Sequence, residues 1–533
     1  MKRISLILLL AMGTASTARA QLTEEALLDT LQESAFKFFI TEANPVNGLI
    51  RDRSQVGSPC SIASQGFGFS SICVGIDRGW ITRADGAERV RKALNFFYGA
   101  PQGPDLGEVK SGYKGLFYHF LDINTGLRVW DSELSTIDTA LLFAGIYDAR
   151  QYFTGSDTTE TAVRAYADSI TRRADWDWMR NFNPGLMMGW KPNTGFGGFG
   201  QWVGYNEAMI MYIIALGSPT HPVPATVWTA WISESPPNPP GYVWATQYGL
   251  TYVLFPPLFG HQYSHCWIDF RGIADAYMRI KGIDYFENSR RATLAQKRYA
   301  TANPLERVGY AANLWGLTAS DTPTGYNARG APPTQNDDGT ITPTAALSSI
   351  PFAPDSTIPV AWKLWNDYRT GPLWGPYGFR DAFNLTVDPD WYDPDYIGID
   401  EGPIVMMIEN HRSGSIWQRF KHHPDIHRGL NRAGFLAVVG VEDGPVADDL
   451  SLAVQPTPFR GSTTVRFRLA TATAVRLSAY DIAGREVARL MDGYAGPGEH
   501  AVLFVAHGLP SGVYHLRLSG AGRSWVKKCV LVR

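Results

Sequence analysis

The sequence predicts an all-α toroid of helical hairpins followed by a small all-β sandwich, and three observations carry that prediction. Apolar stripes at helical spacing recur from Leu27 to about residue 411. Short alternating runs replace them after about residue 450. The composition shifts between the two: sixteen of the 17 Trp lie between Trp80 and Trp417, and only Trp525 lies beyond.

Taken in order, residues 1–20 read MKRISLILLLAMGTASTARA, with basic Lys2 and Arg3, an apolar run from Ile4 to Met12 and a small-residue Ala18-Arg19-Ala20 ending. That is the pattern of a secretory signal peptide, and the run is about half the ~20 residues a membrane span needs. An exported, soluble protein is expected. Leu27, Leu28, Leu31, Ala35, Phe38 and Phe39 then share one helical face. Comparable stripes predict helices at about 82–98, 135–153, 158–179, 205–216, 264–281, 289–302, 357–369 and 403–411, separated by long Gly/Pro/aromatic loops. Long connections in a compact domain are usually functional, so the loops at one end of the ring are expected to frame a cleft. DDGTITPTAALSS (337–349) reads as such a loop entering a short helix. VEDGPVADDL (441–450) is acidic and punctuated by Gly and Pro, the composition of a linker, so the domain boundaries are set at 21–438, a linker at 439–450 and a second domain at 451–533. In that second domain TVRFRL, VRLSAY, GVYHLRLSG and WVKKCVLV alternate as strands do, and Ile482 to Arg485 makes a turn.

The 533 residues are 45% hydrophobic and 13% aromatic but only 18% charged. A disordered chain is excluded by that balance. The net charge of −2 gives no electrostatic ground for nucleic acid or an anionic membrane as partner. It is an average of unlike parts: residues 451–533 are net basic and residues 21–450 net acidic. Four cysteines are too few for a disulfide scaffold, although Cys60 and Cys73, thirteen apart, are candidates for pairing in an oxidising compartment.

Three acid-bearing segments stand at predicted helix starts. DSELSTIDTALLFAGIYDAR carries Glu133 and Asp138, YNEAMIMYIIALGSPTHP carries Glu207, and YIGIDEGPIVMMIEN carries Asp400 and Glu401 ahead of Gly402-Pro403. In a ring of alternating helices, starts on one rim converge on one mouth. Each acid also has a structural reading, because Ser135 to Asp138 resembles a capping box and acids complement helix N-termini. Phe196, Phe199, Trp202 and Tyr205 precede Glu207. An apolar wall raises a carboxyl pKa as a general acid requires, whereas a helix start lowers it. Rings beside carboxylates suit sugars, and glycoside hydrolysis uses two carboxylic residues. His261 and His265 are spaced as a metal pair but lack a zincin Glu, so structural or sugar-binding histidines are expected and neither metal nor cofactor is assigned. The glycines at 195–200 lack the ending of a phosphate loop, and there is no Gly-x-Ser-x-Gly elbow.

YNEAMIMYIIALGSPTHP, FPPLFGHQYSHCWIDFRGIADAYMR, LWGLTASDTPTGYNARG, GPYGFRDAFN and YIGIDEGPIVMMIENHRSGSIW together resemble the glucoamylase-like family of exported bacterial proteins that includes β-1,2-glucanases, over residues 22 to 438. The resemblance implies an (α/α)6 barrel and endo-acting, inverting hydrolysis of β-1,2-glucan to sophoro-oligosaccharides by a monomer. It implies Glu207 as general acid, and Asp138, Glu133 and Asp400 as candidates for the base or for positioning it. Glu401 stands where many relatives carry Gln. Trp190, Trp202, Tyr205, His261, Asp321, Tyr326, Trp374, Phe379, Arg380 and Asn384 are the sugar contacts it implies. The tail resembles the C-terminal sorting domains of type IX secretion cargo, which implies export through the outer membrane to the surface or medium. An immunoglobulin-like spacer and a carbohydrate-binding sandwich are the alternatives. Rival functions are an exo-acting, sophorose-releasing hydrolase, another β- or α-glucan hydrolase, a non-catalytic glucan-binding surface protein and a helical-toroid polysaccharide lyase.

Overall fold

In the computed structural model, residues 22–104, 107–233, 241–437, 453–469, 473–481, 485–496, 498–520 and 523–532 are described. The expected signal peptide (1–20), linker (439–450) and most of the Ile482–Arg485 turn lie outside the described residues. The chain forms two compact units, one of residues up to 269 with 286–433, the other of 270–285 with 434–533.

The helices in chain order are α1 (Glu24–Thr41), α2 (Ile62–Asp77), α3 (Arg83–Gly99), α4 (Thr136–Tyr152), α5 (Thr158–Thr171), α6 (Met209–Gly217), α7 (Thr226–Trp231), α8 (Phe259–Trp267), α9 (Ala276–Lys281), α10 (Tyr285–Ala302), α11 (Pro343–Leu347), α12 (Pro354–Tyr368), α13 (Gly398–Arg412), α14 (Ser415–Phe420) and α15 (Pro424–Arg432). In the larger unit α2 packs on α4, α4 on α6, α6 on α8, α8 on α13 and α13 back on α2, which closes a helical barrel. α11 packs on α13, and Gln262 of α8 donates to the Ala345 carbonyl and to Ser349 Oγ, tying α8 to the α11 turn. Outside it α1 packs on α13, α3 on α5 and α15 on α6.

Of the inner helices, α4, α6 and α13 overlap expected spans, and α2 is the one that periodicity misses outright. α2 reads IASQGFGFSSICVGID and buries fourteen of its sixteen residues, so it shows no polar face and no stripe. Its Gly66 meets α4 backbone to backbone: a Cβ there would sit 2.1 Å from the Leu141 carbonyl oxygen, and one on Gly145 of α4 would sit 2.0 Å from the Gly66 oxygen. Only glycine permits that approach. The single helix expected over 264–281 is broken in two, because Gly272 takes φ +71° and Asp275 N-caps α9 through the Met278 N–H. The helix expected to 179 ends at Thr171. Cys60 and Cys73 are unpaired and buried. Cys60 lies in the short strand ahead of α2 and Cys73 well inside that helix, and a rise of ~1.5 Å per residue holds them too far apart to bridge.

In the smaller unit, Ile273–Ala274 pairs antiparallel with Leu436–Ala437. Strands 453–455, 462–469 and 498–505 form one antiparallel sheet; 486–495, 473–480, 512–520 and 523–531, in that spatial order, form another. Val465, Phe467, Leu477, Phe504, Leu516 and Leu518 alternate inward and share one core.

Candidate active site

Short strands deliver the acids to the inner helix starts. Cys60–Ser61, ahead of α2, pairs with Phe120–Leu121, and Leu134–Ser135, ahead of α4, pairs with Gly189–Trp190. Arg53 bridges Ile397, just before α13. Segments distant in sequence are thereby fixed around one rim.

His119 organises the first group. Its Nδ1 lies 3.0 Å from Glu133 Oε1 and its Nε2 3.6 Å from Asp138 Oδ1. Burial works against the imidazolium, but Asp138, Glu133 and Asp52 outweigh it and push the ring up to about 9. Both nitrogens therefore carry protons at neutral pH. Burial raises Glu133, yet the His119 hydrogen bond and charge bring it below its ordinary value. Asp138 is raised by burial against the opposing pull of His119 and Ser135. Ser135 receives the Asp138 N–H at 3.2 Å and donates to Asp138 Oδ2 at 2.5 Å. Ser135 is the cap of α4, and the Asp138 carboxylate takes the Ser135 hydroxyl on one side and faces His119 on the other.

A second group gathers Asp321, Asp381, Asp393, Asp395, Asp400 and Glu401. Arg53 joins the two groups, donating to Asp321 Oδ2 at 2.7 Å and to Asp52 Oδ2 at 3.3 Å. Asp381 receives the Asp321 N–H at 2.9 Å and shares a hydrogen bond with Asp400. Burial raises Asp381 and Asp400 well above the carboxylate range; the Asp400 charge adds to the rise of Asp381, while Glu401, Asp321 and Asp52 raise Asp400 against the Asp381 hydrogen bond, and burial then Asp381 raise Glu401. Asp393 rises to about 8 for the same reasons. One Asp381 oxygen, one Asp393 oxygen, Asp400 Oδ2 and Glu401 Oε2 are buried without a hydrogen-bond partner. Carboxyls so placed hold protons until a ligand or water meets them.

Glu207 stands two residues before α6, its backbone carbonyl accepting from Ser264 Oγ at 3.1 Å. Burial first, then the charge of Asp138, push its carboxyl up to about 7. Burial wins over the helix start. Donor atoms of His119, Glu133 and Asp138, and of Asp321, Asp393 and Asp395, approach within 4.8 Å of one another, close enough to bracket a cation. Protein cations already meet both triads, since His119 lies between Glu133 and Asp138 and Arg53 rests on Asp321.

The expected sugar contacts divide. Tyr326 is 49% exposed, Asp321 accepts from Arg53, and Trp374 is half-buried with its edge to Phe379 at 4.8 Å. Arg380 is half-buried, held by the Pro372 and Pro394 carbonyls over the Tyr396 ring. Trp202 donates from Nε1 to Thr136 Oγ1 at 3.1 Å, and Trp190 packs on Tyr113 and Trp178. Tyr205 and His261 do not face solvent: they pack on one another at 4.8 Å, and burial drives His261 down to about 3 while its Nε2 bonds the Phe255 carbonyl at 3.1 Å. His265 is likewise buried against Ser289, so the pair is structural. Asn384 is fully buried, donating to the Asp338 carbonyl and Thr340 Oγ1 and accepting from the Thr386 and Val387 N–H groups. It is a loop anchor, because no polar atom remains for a sugar. Sequence reasoning missed His119, Asp52, Arg53, Asp381, Asp393 and Asp395. All lie in loops or strand ends without period, and the visible signal was an Asp next to Arg53 and another next to Arg380.

The family model described as "Putative glucoamylase" matches residues 200–424. An exo β-1,2-glucooligosaccharide sophorohydrolase (non-reducing end) of Parabacteroides distasonis is 33% identical over 453 residues, covering 79% of this chain; the chain spans 59% of that relative's length. A solved structure carrying the glucoamylase description, from Bacteroides uniformis, is 36% identical with TM-score 0.71, covering 78% of this chain and 98% of its own. The endo-β-1,2-glucanase of Chitinophaga pinensis, solved with sophorotriose and glucose, is 33% identical with TM-score 0.70 over 78% of this chain and 99% of its own.

Proposed function

Since the chain belongs to this glucoamylase family, we propose that it is a glycoside hydrolase that cleaves β-1,2-glucan, with the rim of buried acids as its active site. The observation that carries the reading is Glu207: a carboxyl pushed up to about 7 keeps a large share of its proton at neutral pH, while Glu133 of the same rim is held below its ordinary value. Glu207 gives its proton to the leaving glycosidic oxygen as the C1–O bond breaks. The water that attacks C1 from the other face gives its proton to an ionised carboxylate: Glu133, held below its ordinary value by His119, suits that task, whereas Asp400 is held protonated by burial. Asp138 is held by Ser135 and faced by His119, which suits positioning better than proton uptake. Protonation on one face and water attack from the other invert the anomeric carbon. Tyr326, Trp374 and Arg380 are the sugar contacts this reading keeps.

Endo attack is the first reading, supported by a relative of that activity whose length this chain covers almost whole. Exo release of sophorose is the second, supported by the Parabacteroides relative. Digestion of linear β-1,2-glucan separates them. Early products of mixed length support endo attack, sophorose alone supports exo attack, and no new reducing ends overturns the hydrolase. The closed helix ring supports an (α/α)6 barrel, and the strand order of the smaller unit supports an immunoglobulin-like sandwich. Secretion through the leader and the sorting-like tail is proposed on the sequence alone. Cell fractionation with and without residues 451–533 tests it.

A further inference from the structure

The loop ahead of α4 holds an exposed tryptophan in a conformation that bulky residues avoid. Trp130 is 71% exposed and has φ +55°. A side chain with a Cβ pays for the left-handed region, so such a residue persists only where its surroundings fix it. The loop is clamped on both sides. Arg128 Nε donates to the Ser132 carbonyl at 2.6 Å and its second arm to Asp131 Oδ1 at 2.9 Å, while Lys191 Nζ reaches Asp131 Oδ2 at 2.6 Å. Glycine would suit the backbone better, and the chain carries its largest ring there instead.

That ring is connected to the acids by stacking. Trp130 meets Phe120 edge-on at 5.2 Å, and Phe120 stacks on His119 at 3.9 Å and 14°. His119 is the residue between Glu133 and Asp138, and Glu133 follows Trp130 by three positions. An exposed indole braced against the site's own histidine, just outside the acid rim, offers an apolar face where a pyranose of a bound chain can lie. Phe120 fixes its tilt, and the Arg128 and Lys191 clamps fix its height.

We propose that Trp130 is an outer sugar-stacking platform that binds a glucosyl unit of β-1,2-glucan beyond the cleavage point, and so sets preference for longer chains. The proposal rests on the hydrolase reading above. Stacking of one ring predicts about a 3- to 10-fold effect on affinity. The test compares Trp130→Ala and Trp130→Phe in two backgrounds. In the active enzyme, W130A should raise KM for long β-1,2-glucan by that factor with kcat within about twofold, leave the shortest cleaved oligosaccharide unchanged, and be rescued by W130F. In the Glu207→Gln background, calorimetric affinity for a long β-1,2-glucooligosaccharide should fall by the same factor. Trp130→Gly adds a signature that a structural role would not give: glycine relieves the positive φ, so the melting temperature should hold or rise while affinity drops. Equal affinity of E207Q and E207Q/W130A for long chains overturns the platform while leaving hydrolysis intact. Wild type that neither cleaves nor binds β-1,2-glucan overturns both readings.

Discussion

Replacing Glu207 by Gln removes one titrating proton and changes little else in shape, so it isolates what that carboxyl does. The carboxyl stays protonated to about pH 7 where an ordinary glutamate ionises near 4.5, because burial and Asp138 disfavour its charge. That difference corresponds to about 3 kcal/mol between the folded and unfolded chains. The folded pKa is the higher, so the folded state holds the extra proton between these values, and stability falls as pH rises from about 4.5 through about 7. The same group predicts the rate. A general acid works protonated, so kcat of the wild type should decline about tenfold per pH unit above about 7. Glu207→Gln should lower kcat by ~10²–10⁴-fold, abolish that limb in the residual activity, and flatten the stability profile so that the variant matches or exceeds wild type at pH 8. Reducing-end release from linear β-1,2-glucan across the pH range, paired with urea unfolding at each pH, measures all three. Residual kcat within about threefold of wild type, or an unchanged alkaline limb, would refute Glu207 as the acid.

His119→Asn should raise the apparent pKa of the Glu133 and Asp138 group and lower kcat. The imidazole is held up to about 9 against an ordinary 6.5, so its stabilisation is full below pH 6.5 and lost as pH rises through about 9. Urea titrations of variant and wild type should therefore converge at high pH. Asn384→Ala should destabilise by about 1–3 kcal/mol through the stranded loop groups, with KM unchanged; a raised KM with unchanged stability would restore it as a sugar contact. Gly145→Ala forces a methyl onto the Gly66 carbonyl and should cost about 3 kcal/mol or more, read as a lower urea midpoint.

The outer helices were legible because each has one wet face: α1, α3 and α5 show apolar residues at the expected spacing and begin with Thr23, Thr82 and Asp157 caps. α2 was invisible because a helix enclosed on every side carries no alternation to read. The acids near the starts of α4, α6 and α13 were legible because a helical pattern begins beside each; only α4 has a side-chain cap, and Pro403, which reads as a helix start, lies inside α13. Asp52, His119 and Asp393 were not, since they arrive from loops whose approach is set by two-residue strand pairings with partners tens to hundreds of residues away. His261 misled for a related reason: its spacing from His265 puts both on a helix, and only the packing of Tyr205 and Phe255 shows that the face is interior.

The central claim is that the acid rim cuts the β-1,2 linkage, and a linkage panel tests it most directly. Wild type and E207Q are incubated with linear β-1,2-, β-1,3- and β-1,4-glucans and with an α-1,4-glucan, and the products are resolved by chromatography. Sophoro-oligosaccharides are expected from the β-1,2-glucan alone, and are lost in E207Q. Cleavage of α-1,4-glucan with the β-1,2 chain left intact, or β-1,2 products undiminished in E207Q, would contradict it.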